Sequence, residues 1–159
     1  MQINLEVTLE KYITTHDKIK EAIKDLSEEE KSFKPSPEKW SIREIINHLC
    51  DSEIMAATRL FRIVTEDNPL LVAYNQNIWA QTFHYNEIDE ELGLLIFGLI
   101  RNRIYQILHK LPPEVWIKKG KHSERGDVTF YDMFKLYAEH GESHLKQIQE
   151  VIKLIKEKS

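Results

Sequence analysis

Residues 137–148 read Tyr-Ala-Glu-His-Gly-Glu-Ser-His-Leu-Lys-Gln-Ile, and they place His140 and His144 four positions apart on a helical stripe. Around them Phe130, Met133, Tyr137, Ile148, Val151 and Ile155 recur at intervals of three and four, the period of an amphipathic helix with one buried face. The two imidazoles therefore stand where the pattern asks for apolar side chains. A buried polar group without a partner costs roughly 1 to 3 kcal/mol, so two in one seam call for an explanation. One is a pair of core histidines satisfied by hydroxyls or water. The other is a metal, because side chains four apart share a face and supply two nitrogen ligands.

Outward from this helix the pattern repeats. Leu5, Leu9, Tyr12, His16, Ile19, Ile23 and Leu26 form a first seam, from about Leu5 to Leu26. Pro35 and Pro37 break the following segment. Ser41 and Glu44 have capping-box spacing, Trp40 can pack on Ile45 as a staple, and a second helix is predicted through Leu49, Ala56, Leu60 and Ile63 until Glu66-Asp67-Asn68-Pro69 stops it. The stretch 69–86 yields only a short helix around Tyr74–Phe83. A third long helix is predicted from Ile88, with Asp89, Glu90 and Glu91 at its positive end and a stripe from Phe97 to Leu111, ended by Pro112 and Pro113. A polar loop leads to Thr129, a cap for the last helix. The chain is expected to be all-α: one domain, residues 1–159, a four-helix bundle with long inter-helix connections and helices of alternating direction.

Composition narrows the function. Hydrophobic residues make up 42% and charged residues 30%, ordinary for a globular protein, and there is no apolar run of membrane-spanning length. The N-terminus lacks signal-peptide order, so a cytoplasmic protein without membrane association is expected. The net charge of -4 and pI near 6.0 give no footprint for nucleic acid. A basic run from Arg101 to Arg125 reads as a solvated face. With Cys50 alone, neither an internal disulfide nor a CxxC metal knuckle is available.

A third ligand must come from another helix. His48 lies at the edge of the stripe of Ile45, Leu49 and Ser52. Asp51, one turn on, is a candidate to orient an imidazole or a water, or else a surface carboxylate. His16 reads as a core or rim histidine, His84 and His109 as exposed, and Cys50 as a small core residue turned away from His48. Zincin spacing fails at Gly141, and the Glu-x-x-His pairs of di-iron bundles are missing. What remains is a three-histidine site with an open position, suited to zinc or nickel.

Three segments carry a resemblance to a known family. Residues 39–53, KWSIREIINHLCDSE, are similar to the WS/T-x-x-E-h-x-x-H-x-x-D segment of the DinB/YfiT-like four-helix proteins, and YAEHGESHLKQIQ looks like their closing H-x-x-x-H-x-x-Q-I segment. Residues 121–134, KHSERGDVTFYDMF, resemble their HPE-x-G-x-x-T connection, with Ser123 where proline is common; AYNQNIWAQ is a looser match. The resemblance implies this bundle, a homodimer, and a divalent metal on His48, His140 and His144. Some members are thiol S-transferases or isomerases using low-molecular-weight thiols, and others carry the label of metal-dependent hydrolase.

The first functional expectation is a transferase that activates a small thiol toward a small-molecule electrophile, with the basic loop attracting a carboxylate-bearing thiol. The alternatives are a hydrolase using metal-activated water, with Asp51 or Glu124 managing protons, and a non-catalytic metal-stabilised bundle. Within the loop, His122 and Glu124 are equally readable as structural. Gly93 and Gly98 are taken as a face for dimerisation.

Overall fold

The computed structural model describes residues 4–158. Four long helices form the bundle: α1 (Leu5–Ile23), α3 (Ile42–Thr65), α5 (Glu90–Leu108) and α6 (Phe130–Lys158). Short helices α2 (Glu28–Ser32) and α4 (Gln76–Thr82) and two 3₁₀ turns fill the connections, with strands β1 (Leu70–Leu71), β2 (Lys119–His122) and β3 (Gly126–Thr129). α1 packs against α5 and α6, and α3 packs against the same two.

The helix starts follow from their caps. Ser41 accepts from the Glu44 amide at 3.1 Å while Glu44 reaches back to the Ser41 amide at 2.8 Å, the predicted capping box. Thr129 and Asp132 form the corresponding pair at the start of α6. Asp89 caps α5 rather than entering it, and Glu90 turns inward to meet Lys31 and Arg43. A second capping box, Ser27 with Glu30, starts α2 ahead of the prolines.

The core is two apolar clusters with a polar layer between them. One holds Tyr12, Leu60, Ile63, Ile104 and Phe134; the other holds Ile19, Ile45, Leu49, Phe97 and Ile148. Each helix crosses from one to the other at a polar or small residue: Thr15 on α1, Ser52 and Glu53 on α3, Arg101 on α5, Gly141 on α6. The order of crossing gives the directions. α1 and α6 run one way and α3 and α5 the other, so direction does not alternate along the chain as expected. Two consecutive long helices that run in parallel need a connection spanning the bundle, which is why 66–89 is long.

Arg101 ties the polar layer together. It donates to Glu53 Oε2 at 3.0 Å, to the Tyr12 carbonyl at 2.9 Å and to the Tyr137 carbonyl at 2.7 Å, and Tyr12 Oη donates to Glu53 Oε1 at 2.5 Å. One guanidinium thereby joins all four helices, with every charge paired, as burial demands.

The segment expected to be a polar loop is a β-hairpin. β2 and β3 pair antiparallel with Lys119 opposite Thr129, and β1 joins parallel with Leu70 opposite Lys121. Ser123 donates its backbone N–H to the Leu71 carbonyl, and its hydroxyl accepts from the Ala73 amide at 2.9 Å. A proline there could not make the first bond. Gly93 and Gly98 do not form an open face. A Cβ at Gly93 would meet Asn47 Oδ1 at 2.8 Å and one at Gly98 would meet the His16 ring at 2.5 Å, so both glycines serve contacts within this chain.

Candidate metal centre

His48 arrives from α3, and His140 and His144 from α6, which packs against it in the opposite direction. The Nε2 atoms of His48 and His140 stand 3.1 Å apart, those of His140 and His144 3.0 Å apart, and one ligand atom from each of the three falls within 4.8 Å of the others. Tetrahedral bonds of about 2.0–2.1 Å to a zinc ion would space the nitrogens by about 3.3 Å, so the donor set fits a divalent ion.

Two neighbours orient the rings. His144 Nδ1 lies 2.8 Å from Gln147 Oε1, which can only accept. The proton is therefore on Nδ1, and the Nε2 lone pair faces the centre, as for an imidazole held by an outer partner. Trp40 stacks on His144 at 17° between planes and packs on His48 at 4.9 Å between centroids. Burial, with the His144 charge adding, pushes the pKa of His48 down to about 3. Burial again, with His144, His48 and Arg101 adding, pushes His140 down to about 2, and burial lowers His144. All three are thus neutral at pH 7, the form that binds metal. No carboxylate hydrogen-bonds to them among the described residues.

A cavity of about 180 Å³ opens at His140, lined also by Arg59, Tyr74, His122, Glu124 and Arg125. The hairpin supplies the last three, His122 from the end of β2 and Glu124 and Arg125 from the turn, and Glu124 shares this space with the His140 imidazole. Asp51 does not join them. It accepts from the Tyr85 hydroxyl and faces a second cavity between α3 and α5, with Cys50, Phe83 and Leu92. Cys50 is buried there, and burial, with Asp51 and Glu53, raises its thiol to about 11, which keeps it protonated and inert. His16 sits half-buried beside Asp17, and His84 and His109 are exposed.

Sequence reasoning missed Arg59, a buried charge on α3. Its signal was a basic residue beside Leu60 and three places from Ala56 and from Arg62, where only one face can be wet.

The profile of the DinB superfamily matches residues 11–148. An Oceanobacillus iheyensis protein named "Putative metal-dependent hydrolase" is 30% identical over 135 residues, covering 85% of this chain and 78% of its own length. A Bacillus mycoides protein given the same name is 27% identical over 127 residues, covering 80% and 73%. Among solved structures, that of Bacillus subtilis YfiT, described as "a probable metal-dependent hydrolase with an unusual four-helix bundle topology", has a TM-score of 0.90 over 98% of this chain and 90% of its own, at 18% identity. That likeness establishes the bundle fold.

Proposed function

The chain belongs to the DinB superfamily, and from that premise we propose that it is a metal-dependent enzyme in which His48, His140 and His144 hold zinc or nickel. The convergence of three neutral imidazole nitrogens from two helices is the observation that carries this reading. A divalent ion there supplies Lewis acidity, lowering the pKa of a water or thiol that reaches it so that a nucleophile exists at neutral pH.

The chain's own residues do the rest. Gln147 fixes the His144 tautomer, Trp40 packs on the rings of His48 and His144, and the cavity beside His140 receives the electrophile. Transfer of a low-molecular-weight thiol is the reading we favour, because among the described residues no carboxylate hydrogen-bonds to the imidazoles and a thiol, more acidic than water, needs no protein base. Hydrolysis is the second reading. It draws on the names of the relatives and gives proton transfer to Glu124, which lines the same cavity.

The test is turnover by zinc- or nickel-loaded protein of monochlorobimane with glutathione, bacillithiol, mycothiol or coenzyme A, beside p-nitrophenyl esters without thiol. Thiol-dependent turnover that disappears in His48→Ala supports transfer. Ester hydrolysis alone, weakened in Glu124→Gln, supports the second reading, and inactivity in both assays overturns the enzymatic one.

A further inference from the structure

The cavity at His140 has a wall that activation of a nucleophile does not require. Arg59 is only 7% exposed, yet its hydrogen-bond partners among the described residues are all uncharged. Its Nη1 donates to Tyr137 Oη at 2.6 Å, its Nη2 donates to the Val72 carbonyl, and its guanidinium lies 5.7 Å from the centre of the Tyr74 ring. Its Nε is buried without an acceptor, alone in this among the side-chain atoms of the described residues.

Arg101 provides the comparison. It is buried too, more deeply still, and it has the Glu53 carboxylate and two carbonyls. A buried cation without a counter-charge is costly, and Arg101 is how this chain settles that cost where the purpose is structural. Among the described residues Arg59 has no such ion-pair partner, and it lines a cavity. Arg125, exposed on the hairpin turn and in no ion pair among the described residues, lines the same space. His122 also lines it, and burial ahead of the Arg59 and Arg125 charges keeps its imidazole neutral. Two guanidiniums against the single carboxylate of Glu124 leave one net positive charge, which matches a monoanion better than a phosphate dianion.

We propose that this cavity is an anion subsite in which Arg59 and Arg125 hold the carboxylate of a small monocarboxylate substrate beside the three-histidine centre. The inference deepens the enzymatic reading and rests on it: the substrate class is a carboxylate-bearing electrophile or thiol, held by its acid group with its reactive end toward His140.

The test is ligand-observed NMR of zinc-loaded protein with butyrate, inorganic phosphate and uncharged butyramide. Butyrate is expected to bind, butyramide not to bind and phosphate to bind more weakly. Arg59→Met should weaken butyrate at least tenfold and Arg125→Ala several-fold, both with zinc content unchanged; because Arg125 is exposed, its variant keeps the test open if Arg59→Met does not fold. His144→Ala, which removes a metal ligand, should retain butyrate binding, so that loss of the metal centre and loss of the subsite read out separately. Equal binding of butyrate and butyramide, no butyrate binding, no change in Arg125→Ala, or disappearance of butyrate binding in His144→Ala would overturn the subsite. Phosphate binding more tightly than butyrate would overturn the carboxylate assignment.

Discussion

Gly141 lies between the two histidines of α6, at a helical position where alanine would ordinarily be preferred by about 1 kcal/mol. Gly141→Ala is nevertheless expected to destabilise. The new Cβ would stand 2.9 Å from both Nη1 and Nη2 of Arg101 and 3.1 Å from Thr15 Cγ2, whereas ordinary contact begins at 3.4 Å. The guanidinium would have to retreat by about 0.5 Å, and it cannot do so freely, because bonds of 2.7 to 3.0 Å to Glu53, to the Tyr12 carbonyl and to the Tyr137 carbonyl hold it in place. Overpacking costs about 1–3 kcal/mol, and weakened bonds to a buried charge add to it. Against the gain in helix propensity, the net loss is about 2 kcal/mol, or about 4–8 °C in Tm for a chain of this size. Urea unfolding of chelator-treated protein, followed by circular dichroism, isolates the effect from metal binding. A midpoint equal to or above that of wild type would refute the claim that Gly141 exists to admit Arg101.

Other perturbations test other parts of the structure. Gln147→Leu frees the Nδ1 hydrogen of His144 and should weaken zinc affinity about 10- to 100-fold by competition titration, with little change in unfolding midpoint. Glu53→Leu strands the Arg101 charge in the polar layer and should cost about 3–5 kcal/mol in denaturant unfolding. In metal-free protein, His48 at about 3 and His140 at about 2 lie below the unfolded value near 6.5, so the unfolded chain binds the extra protons. Stability from these groups is complete above pH 6.5 and falls as pH drops toward 3, by about 2 kcal/mol per imidazole between pH 6.5 and 5. Unfolding midpoints that stay flat across that range would contradict their buried, neutral state.

The features readable in the sequence are those where periodicity and chemistry disagree. His140 and His144 interrupt an apolar seam, and Ser41 with Glu44 spells a cap before Ile45; both are visible because the surrounding stripe is unambiguous. The same logic applied to Arg101, at helical spacing between Phe97 and Ile104, and to Glu53, between Leu49 and Ala56, marks the polar layer that was overlooked. The hairpin was hidden for a different reason. Its inward positions in β2 are Gly120 and His122, neither of them apolar, so no alternating pattern announces a strand. Gly120 is needed there because a Cβ would meet Ile63 at 3.1 Å. Asp51 lay too near the facing boundary of its helix to be assigned; the Tyr85 hydroxyl, distant in sequence, draws it to the other side. Helix direction was equally illegible, since nothing local in 66–89 records that this connection returns along the bundle.

The most direct measurement is the metal content of purified protein by elemental analysis, with wild type beside His48→Ala and His140→Ala. One zinc or nickel ion per wild-type chain, lost in both variants while helical circular dichroism is retained, is the predicted result. A folded wild type that takes up no metal when supplied with it, or variants that keep theirs, would contradict the assignment of His48, His140 and His144 as the centre on which the chemistry depends.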